Sequence, residues 1–363
     1  MGDPLRLEAV QEVELPTNGR DSEVLELEGV DPESWYEFAY EQGWSDGMPL
    51  VPPTEALVNA FMEVCLGDNQ PLPTLPPRMV FPTMRSLAAN AVMAGCKPEY
   101  FPAIVAAVRA MGNPKFNLHG MLATTHPCAL TVLISGPMQQ QIGINSGTNC
   151  FGQGTRANAT IGRAVGLIAR NIGGAVPGET DRATHGSPAK YSFCFGESEE
   201  RSPWEPYRIR MGFERADSVA TVFAAEPPHN INDHGSLTGK DILLTCASAM
   251  STAGANSLYR EGPTLLVIGP EHAELLHKDS WTIEAIQNYI FETALIPLDE
   301  VSEGNRVYYG DVGNSPKDGV YYIVPKPEDI HIVVAGGPGK HCAWIPGLGP
   351  TILSSVRINN LPQ

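Results

Sequence analysis

The chain is short of basic residues. Its 24 Lys and Arg stand against 41 Asp and Glu, giving a formal net charge of −17 and an isoelectric point near 4.9. Such a surface repels phosphate, and no Lys/Arg run interleaved with aromatics offsets it, so neither nucleic acid nor an anionic membrane is an expected partner. No apolar run reaches the roughly eighteen residues needed to cross a bilayer, and MGDPLRLEAVQEVELP lacks a basic segment ahead of an apolar core. A cytoplasmic location is therefore expected. The seven cysteines, Cys65, Cys96, Cys128, Cys150, Cys194, Cys246 and Cys342, form no CxxC pair. An odd, scattered set suits a reducing compartment, with most thiols acting as small buried hydrophobes. Also missing are the GxxxxGK[ST] of a P-loop, a GxGxxG directly after a strand, and HExxH, so no nucleotide cofactor is implied.

What is present is a patterned α/β chain of 363 residues, 42% hydrophobic and long enough for a sizeable core. Residues 1–30 are acidic and weakly periodic, an arm expected to order against another element or subunit, and a homo-oligomer is the expected assembly. Residues 31–77 carry two helical patterns, ESWYEFAYEQ and TEALVNAFMEVC, around a rigid turn, and then a Pro-rich linker. In the body, IVAAVRAMG leads to LTVLISGP, and LLTCASAMS leads to PTLLVIGP. A further helix follows each, ATIGRAVGLIARNIG and WTIEAIQNYIFETA. This weak internal repeat predicts two related α/β halves, residues 78–215 and 216–363, behind a helical N-terminal segment. VATVFAAEPP and IHIVVAGGPG add two more continuous apolar strands, as expected of strands covered on both faces. If the four share one polarity, their C-terminal loops converge on a site.

Those loops carry the chemistry. GINSGTNCFGQGTRANATIGRA (Gly143–Ala164) runs from glycines into a helix, a setting that favours an anion, with Asn145, Ser146, Arg156 and Asn158 as candidate ligands of a substrate. Its plainer reading is a hairpin whose asparagines cap turns. FNLHGMLATTHPC places His119 beside a glycine that allows close approach. Lys190 precedes YSFCF, and acidic residues follow it. EPPHNINDHG supplies His229, Asn230, Asp233 and His234. His229 and His234 are ligand types for Zn, Fe, Mn or Ni, but HxxxDH spacing in a loop fixes no geometry, and Asp233 equally serves as a cap or an orienting partner. GGPGKHCAWIPG sets Lys340 and His341 at a strand end, where a lysine holds a carboxylate or gives a proton.

WSDGMPLVPPTE, NAVMAGCKPEYFP, FNLHG, RANATIGRA, RNIGGAVPGETDRAT, SPWEP, HNINDHG and GKHCAWIP together resemble a bacterial family associated with UGSC proteins, small proteins with a selenocysteine or cysteine before Gly-Ser-Cys. The likeness runs from about Trp44 to about Pro346. UGSC proteins look similar to selenocysteine regions of glycine and proline reductase subunits, so the resemblance implies reductive bond cleavage with a UGSC-type redox partner. This chain has no UGSC motif of its own.

Three functions follow as expectations. The first is an enzyme acting on a small anionic metabolite by acid/base, metal-assisted lyase or hydrolase chemistry in a cleft between the halves. His119, His229, His234, Lys340 and His341 would be catalytic, and Asn145, Ser146, Arg156, Asn158, Lys190, Asn230 and Asp233 would bind substrate. The second is a thiol-dependent reductive enzyme using Cys128, Cys150 or Cys194. The third is a non-catalytic ligand-binding or scaffold subunit, whose histidines and asparagines complete buried loop hydrogen bonds.

Overall fold

Apolar runs without polar interruption become strands covered on both faces. The computed structural model describes residues 11–14, 24–27, 31–259 and 262–359. In chain order its strands are β1 (Gln11–Glu14), β2 (Val24–Leu27), β3 (Ala129–Ser135), β4 (Cys194–Gly196), β5 (Val219–Ala225), β6 (His229–Asn232), β7 (Thr264–Ile268), β8 (Leu295–Pro297), β9 (Val320–Tyr322), β10 (Ile330–Val334), β11 (His341–Pro346) and β12 (Ser354–Arg357). Every residue of β3, β5 and β7 is buried. Most of the acidic arm lies outside the described residues. Within it, β1 pairs antiparallel with β2.

Two four-stranded sheets form the centre, ordered β12-β5-β3-β4 and β10-β7-β11-β6. In each, a central strand (β3 or β7) has a parallel neighbour on one side (β4 or β10) and an antiparallel one on the other (β5 or β11). An antiparallel edge strand completes each sheet, and with the chain divided after β6, ahead of the helix Gly239–Met250, rather than after residue 215, each edge strand comes from the other part. β6 follows β5 yet joins β11, whereas β12 follows β11 yet joins β5. The strands therefore do not sort at the expected boundary after residue 215.

Side-chain alternation turns the sheets into four layers. Leu130, Val132 and Ile134 of β3 pack outward on a helical layer that includes Ile104, Val108, Ile161 and Val165. Leu266 and Ile268 of β7 pack outward on Leu243, Ile286 and Ile290. Between the sheets, Leu133, Phe195 and Phe223 meet Leu265, Val267, Val333 and Ile345. Each such fully buried side chain is worth roughly 1.5–3 kcal/mol of transfer free energy, so all three interfaces are substantial. The helices Pro32–Glu41 and Glu55–Val64 extend the first helical layer. The indole of Trp35 donates to the Leu50 carbonyl at 2.9 Å, and Phe61 meets Phe101 edge-on at 5.6 Å.

The expected common polarity of the four apolar strands fails at β5. It runs against β3, so its end lies at the opposite edge of the sheet, where Ala225 bridges Gly347 just past β11. The ends of β4 and β10 and the loop after β3 do meet. Ser198 donates its N–H to the Val334 carbonyl at 2.7 Å, and Gly336 donates to Ser146 at 2.8 Å. β6 then carries the chain from the far edge back to this one.

Candidate functional site

Antiparallel register assembles the site. Asn232 of β6 faces His341 of β11, so the turn after β6 and the loop before β11 share one edge, and the Asp233 N–H donates to the Lys340 carbonyl at 3.4 Å. His234 Nε2 lies 3.2 Å from His341 Nε2, and the rings cross at 85°. His341 Nδ1 lies 3.1 Å from Asn230 Oδ1, and Lys340 Nζ donates to the His234 carbonyl at 3.3 Å. His341 and Asn230 line a cavity of about 360 Å³, whose facing wall is Thr148–Gly152 of the glycine-rich loop. His234, Lys340, His341, Asn230 and Asp233 thus come together as a group.

The hydrogen-bond pattern fixes where protons can sit. An amide oxygen only accepts, so His341 Nδ1 donates to Asn230 and leaves its Nε2 as an acceptor for the Nε2–H of His234. The remaining imidazole nitrogen, His234 Nδ1, has no hydrogen-bond partner among the described residues.

Behind β11, on the helix side, is a group the sequence did not advertise. Cys342 belongs to the second helical core, whereas its neighbour Ala343 packs against the inter-sheet core. Cys342 Sγ lies 3.2 Å from His272 Nδ1, and His272 Nε2 donates to the Asp233 carbonyl at 3.0 Å. The Cys246 thiol hydrogen bond, with help from His272 and against the pull of burial, lowers Cys342, while Cys246 as the donor is raised. His272 is raised despite its burial, because it faces Cys342 and the Asp233 carbonyl. The Asp233 carboxylate accepts from Ser236 N at 2.9 Å, Ser236 Oγ at 2.7 Å and Thr245 Oγ1 at 2.7 Å. Against desolvation, those bonds hold it below the usual carboxylate range. Asp233 therefore braces the turn that presents His234. His272 lies 70 positions before Cys342 in the chain, and only the fold joins the two.

Other expected residues go elsewhere. Asn158 accepts from Asn145 N at 2.8 Å and donates to the carbonyls of Asn145 at 2.9 Å and Cys150 at 3.2 Å, a staple that closes the glycine-rich loop. Asn145 turns its own side chain on Gly147 and Thr148, and Ser146 is buried. Arg156 is turned away, donating to the Gly95 and Cys96 carbonyls at 3.0 and 3.4 Å. His229 is exposed, in register with Trp344 at the other end of β6 and 6.5 Å from its ring. An extended strand puts about 10 Å between the Cα atoms of residues 229 and 232, so His234 is joined by His341 rather than by His229. His119 is exposed on the helix Leu118–Ala123 and lines neither this cavity nor the larger one below. Lys190 pairs with Asp181 at 2.6 Å beside that larger cavity, of about 560 Å³, in the first sheet's helical layer. Among the described residues no three His, Cys, Asp or Glu side chains are grouped to hold a metal.

The close pair in the larger cavity is the Lys190–Asp181 ion pair, whereas the smaller one has a wall histidine in contact with a second imidazole, so the smaller one is the better candidate for proton-transfer chemistry. At the thiols first expected to react, burial pushes Cys128 up to about 12 and Cys150 up to about 11, and raises Cys194 further. Glu197, one of the acidic residues that follow YSFCF and were expected as acid/base candidates, lies in neither cavity; it is 1% exposed and receives the Tyr207 N–H at 2.8 and 3.1 Å. No protein-family model and no curated protein matches the chain.

Proposed function

We propose that this chain is an enzyme that transfers a proton to or from a small anionic metabolite, in lyase or hydrolase chemistry, in the cleft between the glycine-rich loop and the β10–β11 loop. The observation that carries this reading is the His234–His341 contact at 3.2 Å, with the outer nitrogen of His341 fixed by Asn230 at the cavity wall. Such a pair gives and receives a proton without moving heavy atoms, and a positioned acid/base group is worth roughly 10²–10⁴ in rate. Lys340 supplies the positive charge that an anionic substrate needs in a chain of net charge −17. The matching order of the two sheets, each completed by a strand of the other part, supports reading the chain as two related halves around this cleft.

The test is conversion of a mixture of small organic acids, followed by mass spectrometry, with the unaltered protein beside His234→Gln and His341→Gln. One anion is expected to be consumed, and about 100-fold or more slowly by either variant, with melting temperatures unchanged. Full turnover by both variants, or no anion consumed by the unaltered protein, would remove the proposal.

A further inference from the structure

The 560 Å³ cavity has a different character from the histidine cleft. Its apolar side includes Leu122, Leu130 and Leu167, and charged side chains complete the wall. Two of its cations are matched. Arg163 is held by Asp46 through two bonds of 2.8 Å, and Lys190 by Asp181 at 2.6 Å. The third, Arg170, is not. One terminal nitrogen donates to the Gly43 carbonyl at 3.2 Å, and its Nε is buried with no acceptor among the described residues.

Arg170 arises from an irregularity in the helix. The helix Arg156–Ile168 continues as a π-helical turn, Ala169–Gly173, which breaks the 3.6-residue phase, and such turns recur at functional sites. In a chain with 17 more acids than bases, an unmatched arginine beside an apolar cavity is a specific recognition element rather than general surface charge.

We infer that this cavity binds an amphipathic organic carboxylate, its head on Arg170 and its hydrocarbon body on the leucine wall. Guanidinium is the cation best matched to a carboxylate, through two parallel N–H donors. The volume lies in the range that encloses a small organic ligand. The site is separate from the histidine cleft and needs none of its residues.

The experiment is calorimetric titration of the full chain with octanoate, alongside octanamide, which has the same length and no charge. Octanoate is expected to bind saturably at millimolar or lower concentration, with octanamide about tenfold or more weaker, the loss of one charge-assisted bond. Arg170→Gln should weaken octanoate by a similar factor at unchanged melting temperature. Gly166→Leu should abolish binding, because a β-carbon at Gly166 meets only the Lys190 carbonyl at 3.6 Å and the longer side chain occupies the cavity. Equal binding of octanoate and octanamide, octanoate binding that survives Arg170→Gln or Gly166→Leu, or no saturable binding overturns the proposal. Should Arg170→Gln fail to fold, the two ligands on the unaltered protein decide the matter.

Discussion

At the scale of single residues, burial sets which groups titrate. Burial pushes Glu197 up to about 7 from an ordinary 4.5, against the Tyr207 N–H bond and the Arg210 charge. Nearby, burial together with Arg210 and Lys326 brings His331 down to about 4 beside the Tyr207 hydroxyl, 3.0 Å away. The folded protein therefore binds the Glu197 proton more tightly than the unfolded chain. That contribution to stability is fully present below about pH 4.5 and is lost as pH rises through about 7. Glu197→Gln keeps an uncharged group in place at every pH. Urea unfolding at about pH 5 and about pH 8 should show the unaltered protein losing about 2.5 kcal/mol more than this variant across the interval. Parallel profiles would mean that Glu197 is already ionised in the fold.

At the scale of elements, the cleft depends on two loops approaching backbone to backbone. A β-carbon at Gly337 would lie 2.2 Å from Thr148 Oγ1 and 2.8 Å from Thr148 Cα, so only glycine admits the glycine-rich loop there. Gly337→Ala should push that loop away and cut turnover at least tenfold, mainly in kcat, while secondary structure by circular dichroism stays unchanged. Normal turnover in that variant would show that the glycine-rich loop is no part of the working site. Gly347 marks the opposite edge, where a β-carbon would meet the Pro263 carbonyl at 2.1 Å. There the two sheets come together at the Ala225–Gly347 bridge.

At the scale of the whole molecule, the exchanged edge strands tie the two parts of the chain into one cooperative unit. β12 covers the outer edge of β5, adds the Thr221–Ser355 hydroxyl contact at 2.8 Å and brings Val356 to the first helical core. Ending the chain at Gly349 would thus injure the first sheet, although the removed residues lie at the far end of the sequence. Hydrogen exchange should show the amides of Val219–Ala225 losing protection by an order of magnitude or more, since an uncovered edge exposes their backbone groups. Unchanged protection of β5 in the shortened chain would show that the parts fold independently.

The sequence by itself determined the continuous apolar strands β3, β5, β7 and β10, the short strand β4 and the helices beside them, but not β6 and β11, which were expected as loops. Apolar runs such as LTVLISG and TLLVI have nowhere to go but a doubly covered sheet, and helical spacing in ATIGRAVGLI marks one apolar face. It also determined that Lys340 and His341 lie just past the apolar run of β10, whereas HNINDHG, expected as a loop at the end of β5, became the strand β6 with Asn230 inside it. Tertiary structure decided the rest. Whether β5 runs with or against β3 depends on which edge it finds, and local pattern is the same for either direction. Strand register, between residues more than a hundred positions apart, set His234 against His341 and moved His229 to the other end of β6. Side-chain alternation, once the faces were assigned, put Cys342 behind the strand with His272 and Cys246. Local spacing carries periodicity, but pairing partners are chosen by the fit of whole faces, and that fit exists only in the assembled layers.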